Sequence, residues 1–195
     1  MKRLQTLVKF TCLVLLASTA WAGDKAGPVD LPQRLSEVQA DPQRLQSYIR
    51  QGQKVAAVCA NCHGDGGNSI KPDVPNLAGQ NSAYLLEQLR LFAEGKRKFE
   101  FMEGMIKAMS ADEKVGAVLF YSSRDVVRRP AGDAKLVQRG RDIFSQNCFR
   151  CHGNDGRGNA QFARIAGQQP EYIRKTLKGY RDKDPARPNP LMRAT

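Results

Sequence analysis

The sequence predicts an all-α protein built from two small tandem domains of the same design. The pentapeptide pattern Cys-x-x-Cys-His occurs twice in the 195 residues, at 59–63 and 148–152. The apolar residues before each copy recur at helical spacing, and an Ala-Gly-Gln tripeptide follows each copy after a similar interval, ending at Gln80 and Gln168. A match outside the pentapeptides indicates a duplicated domain, because two unrelated sites would not share it.

Residues 1–22 are typical of a secretory signal peptide. A basic start precedes a short apolar run at 11–20, and Ala20-Trp21-Ala22 is a small-x-small site, which predicts cleavage after Ala22 and export to the periplasm. The apolar run is shorter than the roughly 20 residues that a membrane-spanning helix needs. An uncleaved N-terminal anchor is the alternative interpretation.

The segment 23–51 is predicted to be an N-terminal extension. It is rich in proline and polar residues, so we expect a loop with one short helix after Pro32. Asp41-Pro42 then indicates a helix start, with the aspartate as N-cap and the proline in the first turn. No function for this segment follows from its sequence.

The first domain is predicted at 52–123. Its expected elements in order are a helix leading into the first pentapeptide with Gly52 as a candidate interruption, a glycine-rich loop, a helix at 81–94, a loop that holds Met102, and a closing helix from the capping box at 110–113 to about Tyr121.

A linker is predicted at 124–132 and the second domain at 133–195. Asp133 is expected to cap a helix that runs into the second pentapeptide. The second domain ends three residues after Met192, whereas the first continues beyond Met102 through a whole further helix. The second domain is therefore predicted to lack its C-terminal helix.

Each pentapeptide has the spacing that attaches a c-type haem. Two thiols about one helical turn apart can each form a thioether to one vinyl group of a porphyrin, and the adjacent histidine becomes an axial ligand of the iron. The chain has five Cys and two His, and all of them except Cys12 lie in the two pentapeptides. The sequence therefore predicts two covalently bound c-type haems, attached through Cys59, Cys62, Cys148 and Cys151, with His63 and His152 on the irons.

The other axial position of each iron has no histidine left to fill it. Methionine is the next common ligand, and its thioether favours Fe(II) and raises the reduction potential. Met102, Met105 and Met109 lie in the first domain, and Met192 alone lies in the second. Methionine also fills irregular gaps in cores, so two of the three in the first domain are expected to pack, and a lysine, a tyrosine or water could substitute as ligand.

The formal charge of +12 is unevenly distributed. Residues 23–123 hold 12 basic and 12 acidic side chains, whereas residues 124–195 hold 16 basic and 7 acidic ones. The basic second half would steer the protein toward an acidic protein partner, or support peripheral association with an anionic membrane surface, unless it serves only solubility. The sequence does not indicate a nucleic-acid ligand, because no basic patch is interleaved with aromatic residues.

The segment Pro-Asn-Leu-Ala-Gly-Gln at 75–80, which lies between a Cys-x-x-Cys-His and a Met-rich segment, resembles the two-haem cytochromes c4. The resemblance begins near Gly52 and implies two tandem class I cytochrome c domains. The family's Met-x-Gly-Met segment corresponds to Met-Glu-Gly-Met here, which implies Met102 as the first distal ligand. Its Met-Arg segment corresponds to Met192-Arg193, which implies Met192 as the second.

The same resemblance implies a function. Cytochromes c4 carry electrons from a quinol-oxidising complex to a terminal oxidase, so it implies an electron carrier and not an enzyme, although such domains also serve as subunits of dehydrogenases. Three features depart from the family pattern: the extension at 23–51, the missing closing helix, and Ala163 in the place that Pro75 takes in the first repeat.

Two other functions fit parts of the sequence. Without Met192 on the iron, the second haem would be five-coordinate, as in a haem enzyme or a gas sensor, but no distal histidine is available as a general base. A zinc-binding module is the other alternative. It would need further ligands, because the two cysteine pairs are 86 residues apart.

Overall fold

The computed structural model describes residues 29–130 and 132–194, and in this part of the chain it is helical without strands. The predicted all-α class is therefore confirmed, whereas the signal peptide predicted at 1–22 lies outside the described residues. The helices are α1 (Leu31–Ala40), α2 (Pro42–His63), α3 (Ser82–Ala93), α4 (Glu100–Ala108), α5 (Ala111–Ser122), α6 (Ala134–Asn147), α7 (Phe149–His152), α8 (Pro170–Arg181) and α9 (Pro190–Arg193), with a 3-10 turn at Asp65–Gly67.

The core of the first domain lies where α2 crosses α5. A Cβ atom at Gly52 would lie 1.9 Å from the carbonyl oxygen of Gly116, so glycine allows the two helix backbones to touch. The helix α2 runs without a break through Gly52, and the interruption considered there is wrong. Packing against α5 compensates for the low helix propensity of glycine at this position.

The segment 23–51 includes part of this core. In α1, Leu35 and Val38 are buried against the helices of the first domain. Arg34 donates to the Asp112 carboxylate at 2.7 Å, and the Tyr48 hydroxyl donates to the same oxygen at 2.8 Å. The boundary predicted at residue 52 therefore falls inside a continuous helix, because an apolar face of α1 and the first half of α2 both pack on α5.

Replacing Val38 with alanine tests whether α1 is part of the domain. Val38 is fully buried, at 0% exposure, so Val38→Ala is expected to lower the free energy of unfolding by about 1–2 kcal/mol. Ser36→Ala, on the exposed side of the same helix, serves as the control and is expected to stay within about 0.5 kcal/mol of the wild type. Urea unfolding followed by circular dichroism measures both, and equal stabilities for the two variants would show that α1 is a detached extension.

The Met-rich segment is a helix, α4, and the loop predicted around Met102 is wrong. Glu100 and Glu103 lie in its first turn, where negative charge stabilises the positive end of the helix dipole. Ile106 is buried, and α4 packs against α3. The capping box is confirmed, since the Glu113 amide donates to the Ser110 hydroxyl at 3.2 Å and the Ser110 amide to the Glu113 carboxylate at 2.8 Å.

The second domain repeats the first part of this arrangement. Asp133 accepts a hydrogen bond from the Leu136 amide at 3.0 Å, which confirms the predicted cap of α6. Among the described residues no helix covers α6 as α5 covers α2, and Leu136 and Ile143 are 65% and 57% exposed. Every buried apolar side chain of the described residues lies in the first domain, between Leu35 and Tyr121.

Residues 125–127 of the predicted linker contact the first domain and lie beside the second. Asn68 donates to the Asp125 carbonyl at 2.8 Å and accepts from the Val127 amide at 3.0 Å. Between these two residues, Val126 lies so close to both tripeptide repeats that a Cβ at Gly79 or Gly167 would be 2.6 or 2.4 Å from one of its methyl groups. Val126 therefore lies between the two domains, whereas its neighbours Asp125 and Val127 remain exposed.

Candidate functional site

The first pentapeptide forms the last turn of α2. Cys59 and Cys62 are half-buried free thiols, and His63 is only 8% exposed. Because α2 is held against α1 and α5 along its length, this end of the helix is rigidly placed. The local arrangement presents two thiols and one imidazole from a single helical turn.

The orientation of the His63 ring is fixed by a backbone carbonyl. Its Nδ1 lies 2.8 Å from the carbonyl oxygen of Pro75, and since a carbonyl can only accept, Nδ1 must carry the proton. The other ring nitrogen, Nε2, then keeps its lone pair for a metal. Burial lowers the pKa of the His63 imidazole, which also favours the neutral ring that iron binds.

The second pentapeptide has the same geometry. Cys148 and Cys151 are half-buried free thiols at the junction of α6 and α7, and His152 is again 8% exposed. Its Nδ1 donates to the carbonyl of Ala163 at 2.8 Å, the same distance as in the first domain. The replacement of proline by alanine in the second repeat therefore leaves the hydrogen bond unchanged.

The candidate methionines lie on helices other than those of the pentapeptides. Met102 and Met105 are both half-buried on α4, three residues apart and thus on the same face of the helix. Met192 is half-buried on the short helix α9. Among the described residues, no three side chains of His, Cys, Asp or Glu form a group that could hold a metal ion, so the zinc interpretation finds no support there.

The two histidine loops meet at the interface between the domains. The side-chain oxygen of Gln168 accepts a hydrogen bond from the Asn76 amide at 2.7 Å, and its side-chain nitrogen donates to the Asn76 carbonyl at 3.0 Å. In the same way, the side-chain oxygen of Gln80 accepts from the Arg164 amide at 2.7 Å, and its nitrogen donates to the Arg164 carbonyl at 2.9 Å. The repeated tripeptide ends in these two glutamines, and the repeat was the only sequence signal that could have found them.

A group of arginines and tyrosines lies at the same interface. Arg97 of the first domain and Arg187 of the second both donate to the Tyr172 hydroxyl, at 3.0 and 3.3 Å. Burial would raise the pKa of the Tyr172 phenol, but the two guanidinium charges outweigh it and lower the pKa to about 8. Neither arginine forms an ion pair with a carboxylate of the described residues. The site thus has an excess of positive charge, which no sequence pattern indicated.

Comparison with known proteins identifies relatives for both halves of the chain. The cytochrome c family model matches residues 49–118 and again 137–192. Cytochrome c4 of Pseudomonas aeruginosa is 34% identical over 141 residues, which cover 67% of this chain and 70% of that protein. The crystal structure of reduced cytochrome c4 from Pseudomonas stutzeri matches with a TM-score of 0.66 and 32% identity, over 73% of this chain and 86% of that one. The thiosulfate dehydrogenase electron acceptor of Thiomonas intermedia is 32% identical, over 65% of this chain and 64% of that protein.

Two helical domains, each with a thiol pair and a carbonyl-oriented histidine on one helical turn, define a c-type cytochrome with two covalently bound haems. The residues fit that cofactor, because the four thiols are free and both histidines keep Nε2 available for iron. Arg97 and Arg187 also lack carboxylate partners, so they are available to haem propionates. The chain belongs to the cytochrome c4 family. It is an electron-transfer protein with redox proteins as partners. No helix of residues 29–130 or 132–194 has the length and apolar character of a membrane span.

Proposed function

We propose that this protein is a periplasmic carrier that passes single electrons between respiratory proteins, toward a terminal oxidase. One observation carries the proposal: the two histidines have the same burial and the same 2.8 Å hydrogen bond to a loop carbonyl. Two sites that orient the imidazole in the same way suit the same one-electron step at both irons, whereas a haem enzyme or a gas sensor requires an open position on one of them. Export with cleavage after Ala22 would deliver the chain to the compartment where c-type haems are attached.

Each side chain has a defined role in the proposal. Cys59 and Cys62 attach one haem and Cys148 and Cys151 the other, while His63 and His152 bind the irons through Nε2. When bound, each c-type haem supplies one reversible Fe(III)/Fe(II) step. Met102 and Met192 would supply the second protein ligand of each iron.

Arg97 and Arg187 would neutralise haem propionates when the haems are bound. Two half-buried guanidinium groups without carboxylate partners are a favourable environment for carboxylates, since charge-assisted hydrogen bonds are the stronger ones. Because Arg97 lies in the first domain and Arg187 in the second, this neutralisation would occur at the interface between the domains. The net positive charge of residues 124–195 would favour encounter with an acidic redox partner or an anionic membrane surface.

Haem content and spectra of the purified periplasmic protein test the proposal. Two covalent haems per chain are expected, both low-spin, with a Met–Fe(III) charge-transfer band at both irons. A high-spin second haem that binds carbon monoxide would instead favour the open-site function of an enzyme or sensor. A protein without covalent haem would contradict the proposal.

The assignment of Met102 is tested against its neighbour Met105. Met102→Leu is expected to remove the charge-transfer band of one haem and to lower its reduction potential by on the order of 0.1 V, because the thioether that favours Fe(II) is lost. Met105→Leu, at a position of similar burial on the same helix, is expected to keep both bands. Near-infrared spectra and a potentiometric titration of the two variants decide between them, and the reverse pattern would assign Met105.

The second candidate function is to accept electrons from a thiosulfate dehydrogenase. The related protein from Thiomonas intermedia is named as the electron acceptor of thiosulfate dehydrogenase, so this chain could serve a dehydrogenase in the same way. Rapid-mixing measurements of haem reduction by a purified thiosulfate dehydrogenase, compared with reduction by a quinol-oxidising complex, distinguish the two donors. Faster reduction by the dehydrogenase would favour this second function over the first.

A further inference from the structure

The interface glutamines act on the same peptide groups that orient the two histidines. The Pro75 carbonyl that accepts from His63 and the Asn76 amide that donates to Gln168 belong to one peptide unit. In the second domain, the Ala163 carbonyl that accepts from His152 and the Arg164 amide that donates to Gln80 likewise belong to one peptide unit.

Each histidine is thus connected to the opposite domain by two hydrogen bonds in series. One chain runs from His63 Nδ1 to Pro75 O, at 2.8 Å, and from Asn76 N to Gln168 Oε1, at 2.7 Å. The equivalent chain from His152 has the same two distances. Each glutamine amide is fixed in orientation, because its Nε2 donates to the next carbonyl, at 3.0 Å for Gln168 and 2.9 Å for Gln80.

We infer that Gln168 tunes the haem of the first domain and Gln80 tunes the haem of the second, each acting across the interface through a peptide unit. Acceptance of the amide proton by the glutamine oxygen polarises the peptide, which makes its carbonyl a stronger acceptor. A stronger acceptor draws the Nδ1 proton and makes the imidazole a more basic ligand. A more basic ligand stabilises Fe(III), so each glutamine lowers the reduction potential of the haem in the other domain.

This inference rests on the proposed role of His63 and His152 as iron ligands. It makes Gln80 and Gln168 positioning residues, since neither touches the iron or its ligands directly. By linkage, if the interface bond favours Fe(III), then oxidation of a haem must strengthen that bond. The domains would consequently be held together more firmly in the oxidised protein.

Redox titration of the holoprotein tests the inference. In Gln168→Leu, the first haem should shift toward Fe(II) by about two- to fivefold in its redox equilibrium, while the second shifts less, because only one hydrogen-bond chain is broken. In Gln80→Leu the response should be exchanged, with the larger shift at the second haem. Haem methyl proton resonances, followed separately during the titration, assign each shift to its domain.

The control is Asn81→Ala. The Asn81 side chain donates across the same interface to the carbonyls of Arg157 and Phe162, at 3.1 and 3.0 Å, and contacts neither of the two peptide units. Its main-chain amide donates to Gln80 Oε1 at 3.0 Å, and the substitution leaves that bond in place. This variant should leave both redox equilibria within error of the wild type, although it weakens the interface. Gln168→Met preserves the length of the side chain and replaces Gln168→Leu if the latter does not fold.

Two failures can be told apart. Wild-type protein without two low-spin haems would contradict the proposed function itself. Two results with a wild type that holds both haems would contradict the cross-domain action. In one, each glutamine variant shifts the redox equilibrium of the haem in its own domain; in the other, Asn81→Ala produces the same shifts. Either result would mean that the glutamines only hold the domains together. Equal shifts at both haems in Gln168→Leu would also overturn it.

Discussion

A variant in which Cys148 and Cys151 are both replaced by alanine is expected to retain one covalent haem and a folded first domain. The second haem would lose both thioether attachments, whereas Cys59, Cys62 and His63 are untouched. The first domain has its own core, since every buried apolar side chain of the described residues lies between Leu35 and Tyr121. Mass spectrometry would give the haem count, and circular dichroism the retained helix.

The matched variant, in which Cys59 and Cys62 are both replaced by alanine, is expected to lower the yield of folded protein far more. The second domain has no buried apolar side chain of its own among the described residues, so it depends on its haem and on the surface of the first domain. Without the first haem, His63 and the half-buried thiols of the first domain would lose the apolar group expected to cover them, and the domain on which the second one depends would be destabilised. The yield of the protein with one haem should then fall by about tenfold or more, since unfolded chains are degraded. Equal yields of the two double variants would contradict this asymmetry.

Gly52→Ala is expected to destabilise the protein by about 3 kcal/mol, because the new methyl group would overlap the backbone of α5. The clash is with the Gly116 carbonyl, 1.9 Å from the ideal Cβ position, and a backbone atom cannot turn aside as a side chain can. The helices α2 and α5 would have to separate along the core. Urea unfolding of the holoprotein measures the change.

The repeat supplies the control for this substitution. Gly140 precedes the second pentapeptide as Gly52 precedes the first, but a Cβ at Gly140 would meet no atom within 4 Å. Gly140→Ala should therefore stabilise α6 by about 0.5–1 kcal/mol through helix propensity alone. Similar losses of stability in Gly52→Ala and Gly140→Ala would contradict this difference, because they would mean that α6 is packed in solution against another segment, as α2 is against α5.

The parts of the structure that depend on local patterns were predictable from the sequence. The pentapeptides gave the thiols and histidines. The Ser110–Glu113 box predicted the start of α5, and Asp133 predicted the start of α6, because capping involves residues only three positions apart. The internal repeat predicted that the two domains would share a design.

The remaining features depend on contacts between distant residues. Whether 100–108 forms a loop or a helix is decided by the burial of Ile106, and the packing of α1 depends on α5, more than 70 residues away. The pairing of Gln80 with Arg164, and of Arg97 with Tyr172, joins residues 84 and 75 positions apart. No pattern within either domain specifies a partner in the other.

The position of Val126 bears on how an electron would pass between the two haems. This half-buried side chain lies against Gly79 of one domain and Gly167 of the other, and close-packed contacts of this kind resist compression. A rotation of one domain against the other would drive a methyl group toward backbone atoms, so this contact opposes a change in the separation of the domains. Internal transfer would then proceed by tunnelling at a fixed distance, at a rate set by that distance and the driving force, without conformational gating by slow domain motion on the microsecond-to-millisecond scale.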